Sequence, residues 1–379
     1  MTISMNDVSN AKPLDSMDHA RERFQNLHEF VAVARARLDR NVWDYLIGGA
    51  ETETTVRRNR LAIESQAFRP RVLRDVNPTD TSGSFLGRKL TMPVALAPIG
   101  SIERFDPAGC AAVANATGTF GCAMFQSSVA KPDIEVTGKV VAGGLKIFQL
   151  YVRGDQAWVE AFFDRAVAAG FGALCLTVDT HHYSRRERDI SKRYHAASAR
   201  EPEASRHQKA LDWRQVDKIK ARYKLPLVIK GIATAEDAKL AVEHGVDVIY
   251  VSNHGGRQLD HGLGSLDVLP EIVAVAKGRA AIIIDGGFCR GSDIVKAIAL
   301  GANAVCIGRL YAFGMAAAGR DGILRVLELL QDEMIRSMGL LGVNRLDELN
   351  PSYLRAAPPV RQPHVLSAFP FIEPTDDRY

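Results

Sequence analysis

The sequence predicts a (β/α)8 barrel with an N-terminal helical extension, and three observations carry that prediction. Eight short apolar runs follow one another between residues 94 and 307, each succeeded by a stretch that can be helical. Every run ends on glycine or polar residues, and the carboxyl ends of barrel strands are where this fold gathers its working side chains. No Gly-x-Gly-x-x-Gly follows the first run, which argues against an open sheet with a dinucleotide-binding half.

A chain of 379 residues could hold two average domains or one large barrel. The barrel reading makes residues 27–379 a single domain behind a flexible leader, residues 1–26. Hydrophobic content of 46%, charged content of 24% and a net charge of +4 are ordinary for a soluble globular protein. No Lys/Arg-dense segment points to nucleic acid. The five cysteines (Cys110, Cys122, Cys175, Cys289 and Cys306) show no CxxC spacing and fit buried, reduced thiols. Without an apolar signal-peptide core or a membrane-length apolar run, a cytoplasmic protein with no membrane or nucleic-acid partner is expected.

In chain order, Leu27, Phe30, Val31, Val33, Ala34 and Leu38 have helical spacing. Val42–Ile47 continues that helix, and Gly48-Gly49 closes it. Strand-like pieces follow at Phe68–Leu73 and Gly87–Met92. The eight runs are Val94–Ile99, Cys122–Gln126, Lys146–Val152, Ala173–Val178, Pro226–Lys230, Val248–Val251, Ala281–Ile284 and Ala304–Ile307. Between them, Gln156–Ala169, Ala235–His244, Leu266–Ala276 and Ser292–Leu300 carry helical periodicity, several opening on N-cap residues.

The strand ends supply Gly100, Ser127-Ser128, Gln149 and Tyr151, Thr177 and Asp179, Lys230, Asn253 and His254, Asp285-Gly286-Gly287, and Gly308-Arg309. Packing alone does not explain polar or glycine residues at all eight ends; one ring-shaped site does. Within Asp247–Asp260 the sixth run turns sharply at Ser252-Asn-His-Gly-Gly-Arg257. Histidine suits proton transfer near neutral pH, and the arginine fork matches a carboxylate. His254 beside Arg257 therefore points to chemistry on a small acid. Glycines and an arginine after the last two strands, in Asp285-Gly286-Gly287 and Gly308-Arg309, make an anion site of backbone amides and a guanidinium. Lys230, a charge closing an apolar strand, needs a partner. His181 and His182 lack further ligands at metal spacing, so no metal is expected.

Ser252-Asn-His-Gly-Gly-Arg-Gln258 closely resembles the signature of the FMN-dependent 2-hydroxy acid oxidase and dehydrogenase family, which includes glycolate oxidase, lactate oxidase and mandelate dehydrogenase. The resemblance runs from about Leu27 to about Met338 and is most specific at residues 176–188, 226–231, 247–260 and 281–309. It implies FMN as cofactor, a small 2-hydroxy acid as substrate, oxygen or another electron acceptor, and a homotetramer or octamer. His254 is then the base, supported by Asp179. Arg186 and Arg257 clamp the substrate carboxylate, Tyr45 donates to it, and Tyr151 faces the hydroxyl. The anion site at Asp285, Gly286, Gly287, Gly308 and Arg309 becomes the FMN phosphate site. Lys230, Ser127, Gln149, Thr177 and Ser252 meet the isoalloxazine ring, with Gly100 at flavin N5.

Three departures concern the substrate. Val129 stands where relatives often place a bulky aromatic, and His181-His182-Tyr183 replaces a segment that elsewhere begins with proline. Residues 189–211 are expected to be a short polar connection offering little cover. The implied reaction is oxidation of an (S)-2-hydroxy acid to the 2-oxo acid. Alternatives are a lactate-monooxygenase-like activity, an isomerase or an inosine-monophosphate-dehydrogenase-like enzyme on the same barrel, or a non-catalytic flavin binder. None of the cysteines lies in a loop near the sixth strand, as the dehydrogenase alternative requires.

Overall fold

The structure, a computed structural model, describes residues 17–140, 143–194 and 202–372. Eight parallel strands close into a barrel: β4 (Val94–Leu96), β5 (Ala123–Ser127), β6 (Leu145–Leu150), β7 (Ala173–Thr177), β8 (Leu227–Ile232), β9 (Val248–Val251), β10 (Ala281–Ile284) and β11 (Ala304–Ile307). They pair in sequence order, and Val305 opposite Val94 completes the circle. Outside the barrel, β1 (Gln66–Phe68) pairs with β12 (Leu354–Ala356), and β2 (Gly83–Phe85) forms a hairpin with β3 (Arg88–Leu90).

The strands are apolar throughout because both their faces are covered. Alternate residues divide between two buried clusters. Ala123, Phe125, Ile147, Cys175, Val228, Val248, Tyr250, Ile283 and Cys306 fill the barrel interior. Residues such as Leu174, Leu176, Ile249 and Val251 join the layer beneath the helices. The period of two has a direct consequence. Continued one step past Phe125, Ile147, Cys175, Val228, Tyr250, Ile283 and Cys306, it makes Ser127, Gln149, Thr177, Lys230, Ser252, Asp285 and Gly308 the next inward positions. The uppermost layer of the barrel is therefore its polar layer.

Several boundaries differ from expectation. Residues 1–16 of the expected leader lie outside the described residues, but Met17–Arg23 forms a helix with Ala20 buried, and Phe24 stacks on Phe30 at 4.0 Å. The single helix expected from Leu27 is two, Leu27–Arg37 and Arg40–Ile47. Asp39 starts the second by accepting from the amides of Asn41 and Val42 at 2.9 and 3.1 Å, an N-cap hidden inside an apolar periodicity. The strand expected over Phe68–Leu73 is confined to Gln66–Phe68. β8 runs two residues beyond Lys230, with a register shift where Gly231 adopts φ +114°. A side chain on Gly231 would sit 2.6 Å from the Asp179 Cβ, so glycine there lets the Asp179 loop close onto β8. The expected 189–211 loop contains the helices Glu187–Ser191 and Pro202–Lys209.

All five cysteines are free and buried. No helix among the described residues is long and apolar enough to cross a membrane. The 33-residue helix Arg309–Leu341, broken at Ala318-Gly319, packs against Leu27–Arg37. Near that contact the His28 ring is buried between Phe369 (centroids 5.8 Å apart) and Phe371 (4.7 Å). Neither of its nitrogens has a hydrogen-bond partner among the described residues.

Burial, with Arg290 nearby, holds the His28 pKa at about 4, below its ordinary 6.5. The unfolded chain therefore takes up this proton first, and the stability His28 contributes at neutral pH is lost as pH falls from 6.5 toward 4. His28→Phe keeps an apolar ring and removes that loss. In urea unfolding, the stability advantage of His28→Phe over the parent grows as pH drops from 7 to 5; parallel pH curves would contradict this.

Candidate active site

The Lys230 ammonium is only 3% exposed at the barrel mouth. A buried charge is tolerated only with partners, and three neighbouring strand ends provide them. Ser252 after β9 accepts from Nζ at 3.0 Å. Asp285 after β10 and Asp179 after β7 place carboxylate oxygens at 3.9 and 4.0 Å. Ser252 in turn donates to Asp285 at 2.7 Å. Burial disfavours the lysine charge, but the two carboxylates outweigh it and raise the Lys230 pKa.

The same cluster reaches His254. Its Nδ1 lies 3.0 and 3.1 Å from the two Asp179 oxygens. Its Nε2 lies 3.2 Å from the Tyr151 hydroxyl and faces the cavity. Burial would raise the Asp179 pKa, yet His254 and Lys230 overcome it and hold the carboxyl below its usual range. An ionised Asp179 receives an N–H from Nδ1 and leaves Nε2 as the acceptor. Burial also dominates at His254 and lowers its pKa; Asp179 opposes the shift, and Lys230 adds to it. His254 sits at φ +59° in a short turn whose Asn253 side chain accepts from the Gly256 amide at 3.1 Å.

The N-terminal extension closes the opposite wall. Gly49 must be glycine, because a Cβ there would lie 2.3 Å from the Val56 side chain and 2.9 Å from the Gly256 carbonyl. The close approach lets the Gly48 carbonyl accept from both Arg257 (2.8 Å) and Arg309 (2.9 Å). Arg257 also donates to the Tyr45 carbonyl at 2.6 Å, and Arg309 to the carbonyls of Leu46 and Gly255. Tyr45 donates its hydroxyl to the Gly100 carbonyl at 2.9 Å. Arg186 is buried against the Tyr183 ring at 4.5 Å, and its Nε has no partner among the described residues. Burial lowers the Arg257 pKa and Arg186 lowers it further; burial, with Arg257, brings Arg309 to about 10. Mutually repelling guanidiniums beside one cavity make a site that favours an anion.

That cavity, about 460 Å³, lies within the range of small-molecule sites. Twelve of the sequence-expected residues line it: Tyr45, Gly100, Tyr151, Arg186, Lys230, His254, Arg257, Asp285, Gly286, Gly287, Gly308 and Arg309. Asp179, Ser127, Gln149, Thr177 and Ser252 stand behind the lining. Gln149 Nε2 donates to the Thr177 hydroxyl at 2.8 Å, which leaves its buried Oε1 without a donor among the described residues.

Sequence reasoning missed three contributors. Arg188, in the charged stretch Arg185-Arg-Glu-Arg188, pairs with Glu53 at 2.6 and 3.0 Å and with Asp44 at 3.3 Å. It thereby fastens the Arg186 segment to the helix of Tyr45. Asp44, a carboxylate inside the buried helix segment Val42–Ile47, was the available signal, because it required a cation. Gln208, in the segment expected to be a loose loop, is 5% exposed and joins two strand ends. It accepts from the Val152 amide and donates to the Thr177 carbonyl, both at 2.8 Å. Arg60 lines the cavity and donates to the Gly287 carbonyl at 2.7 Å; no pattern in the sequence marked it.

These residues fit FMN. The orphaned Gln149 oxygen awaits an N–H donor of the kind a flavin ring carries, and the Lys230 charge meets the cavity. The glycine turns after β10 and β11, with Gly308 at the start of a long helix, form an anion cradle.

A family model described as FMN-dependent dehydrogenase matches residues 34–356. The chain is 37% identical to glycolate oxidase of Spinacia oleracea over 353 residues, covering 87% of this chain and 95% of that one. It is 38% identical to L-lactate oxidase of Nostoc sp. over 355 residues, covering 87% and 97%. Among solved structures it resembles a soluble mutant of the membrane-associated (S)-mandelate dehydrogenase from Pseudomonas putida, with a TM-score of 0.82, 32% identity, and 88% and 99% coverage. A mandelate oxidase with benzoyl-formic acid gives a TM-score of 0.82 at 35% identity, covering 89% and 100%.

The electrostatics of His254 can be read directly by NMR of histidine-labelled protein, with His254→Gln assigning the resonance. The His254 pKa lies below 6.5, and Asp179→Asn lowers it further by removing the charge that favours the imidazolium. A value above 6.5, or one that Asp179→Asn leaves unmoved, contradicts this account.

Proposed function

The chain belongs to the FMN-dependent dehydrogenase family, and from that premise we propose that it oxidises an (S)-2-hydroxy acid to the 2-oxo acid. The observation that carries this reading is a cavity-facing Nε2 on His254, held through Nδ1 by Asp179, beside the Arg186 and Arg257 guanidiniums. A base next to paired cations matches a substrate bearing a carboxylate one bond from the carbon to be oxidised.

In this reading Arg186 and Arg257 bind the substrate carboxylate, and Tyr45 turns its hydroxyl from the Gly100 carbonyl toward it. Tyr151 orients the substrate hydroxyl. His254 Nε2 accepts one substrate proton, and Asp179 stabilises the imidazolium so formed. FMN supplies the acceptor for the electron pair. Lys230, with Ser127, Gln149, Thr177, Ser252 and Gly100, holds the ring. Asp285, Gly286, Gly287, Gly308 and Arg309 hold the phosphate end. Lys230 also favours negative charge on the reduced ring.

The apolar cavity wall of Ile99, Phe105, Val129 and Val152 favours a substrate with an apolar side chain. Val129 leaves space that a larger aromatic would fill. Gln208 and Lys209 cover this end more than a short loop would, so the added room comes from Val129 rather than from missing cover. Each further CH2 buried there contributes about 0.8 kcal/mol, which favours larger aliphatic or aromatic 2-hydroxy acids over glycolate.

Heat-denatured holoprotein should release FMN; recovered FAD would exclude the proposed phosphate site. Because the base must be neutral, kcat/KM rises with pH through the lowered His254 pKa, which puts the acidic limb below pH 6.5. On substrate size, kcat/KM for 2-hydroxyoctanoate and mandelate exceeds that for glycolate, and Val129→Trp reverses the order. A preference for glycolate in the parent, or an order unmoved by Val129→Trp, refutes the pocket argument.

A further inference from the structure

We propose that the carboxy-terminal segment 363–369 is a strap that retains FMN: Val365 walls the cavity, and Ser367 braces the Gly286-Gly287 turn through Glu64 and Arg60. The proposal rests on the reading of that turn as part of the FMN site.

The family model ends at residue 356, so the strap lies outside the matched region. After β12 the chain runs largely exposed through residue 362 and then returns to the protein. Val365, Leu366, Ala368 and Phe369 are all buried. Phe369 is fully buried and meets Phe313 edge-on at 6.2 Å. Phe313 belongs to the second turn of the helix that begins at the Gly308 cradle. The strap is thus anchored on the helix whose N-terminus faces the anion site, and Val365 reaches the cavity itself.

The second contact is polar and continuous. Ser367 Oγ donates to Glu64 Oε1 at 2.5 Å. The same oxygen accepts from Arg60 Nε and Nη2 at 3.2 and 3.1 Å. Arg60 Nη1 donates to the Gly287 carbonyl and to Asp293 Oδ2, both at 2.7 Å. That Asp293 oxygen also accepts from the amides of Cys289 and Arg290 at 2.9 and 3.0 Å. Arg60 is nearly fully buried, so its orientation is set by these partners rather than by water. Gly286 and Gly287 both have positive φ, and a Cβ on Gly287 would meet the Arg60 and Asn59 side chains at 3.3 Å, so the turn lies directly against the helix Thr54–Glu64. Their geometry depends on what holds the Gly287 carbonyl and the amides after it. Ser367 fixes Glu64, Glu64 fixes Arg60, and Arg60 fixes the turn.

Removing the whole segment would expose Phe313 and His28 and could prevent folding, so the test uses point variants. Ser367→Ala, Ser367→Thr and Val365→Ala proteins are stripped of flavin and titrated with FMN by fluorescence quenching. Release is followed as fluorescence recovery on dilution, and each apoprotein is melted alongside. Ser367→Ala raises the FMN Kd about fivefold to tenfold, chiefly through faster release, with the apoprotein Tm unchanged. Ser367→Thr restores retention, and Val365→Ala weakens it. The strap is refuted if Ser367→Ala and Val365→Ala bind and release FMN like the parent, or if affinity falls only in step with apoprotein Tm. A parent that takes up no FMN would instead refute the underlying cofactor reading.

Discussion

The site depends on one buried charge. The Lys230 ammonium stands at an inward position of β8, where the period of two that fills the barrel with Val228 carries the chain into its top layer. Left alone, that charge would cost several kcal/mol. Asp179, Ser252 and Asp285 compensate it from the ends of β7, β9 and β10, so the requirement to satisfy one lysine fixes the ends of four consecutive strands. Asp179 is held ionised by this arrangement and can therefore set the tautomer of His254. His254 inherits its orientation from a charge it does not touch.

The opposite wall has the reverse problem, an excess of positive charge. Burial and the nearby Arg186 lower the Arg257 pKa, burial and Arg257 lower that of Arg309, and backbone carbonyls from the N-terminal extension only partly offset the repulsion. The helix Arg40–Ile47 is thus a component of the site, because its end supplies the carbonyls of Tyr45, Leu46 and Gly48. A carboxylate substrate and a phosphorylated cofactor would complete the charge balance. The Arg188 bridge to Glu53 and Asp44 holds this extension against the loop of Arg186.

The barrel was legible because its strands are buried on both faces, and the resulting apolar runs stand out against their polar ends. The place of His254 and Arg257 beside one cavity was legible because their glycine turn closes an apolar strand, and the family resemblance pointed to Asp179, Arg186 and Tyr45, which the fold brings beside them. What escaped lies in side chains whose roles depend on distant partners. Arg188 reads as solvent-exposed until Asp44 and Glu53, more than a hundred residues away, are brought beside it. Gln208 sits in a polar stretch with no periodic signal, and only the converging ends of β6 and β7 give it two partners. Asp39 was masked by the apolar periodicity on either side, so one helix was expected where a cap makes two.

The central claim is that His254 Nε2, poised by Asp179 and Lys230, takes the substrate proton. Its most direct test is anaerobic stopped-flow reduction of the bound flavin by an (S)-2-hydroxy acid in the parent and in His254→Gln. The glutamine is polar and of similar reach but cannot serve as the base. FMN should remain bound while the reduction rate falls at least about a hundredfold, the lower end for a positioned general base. Reduction at close to the parent rate, with FMN retained, would place the proton acceptor elsewhere and contradict the account.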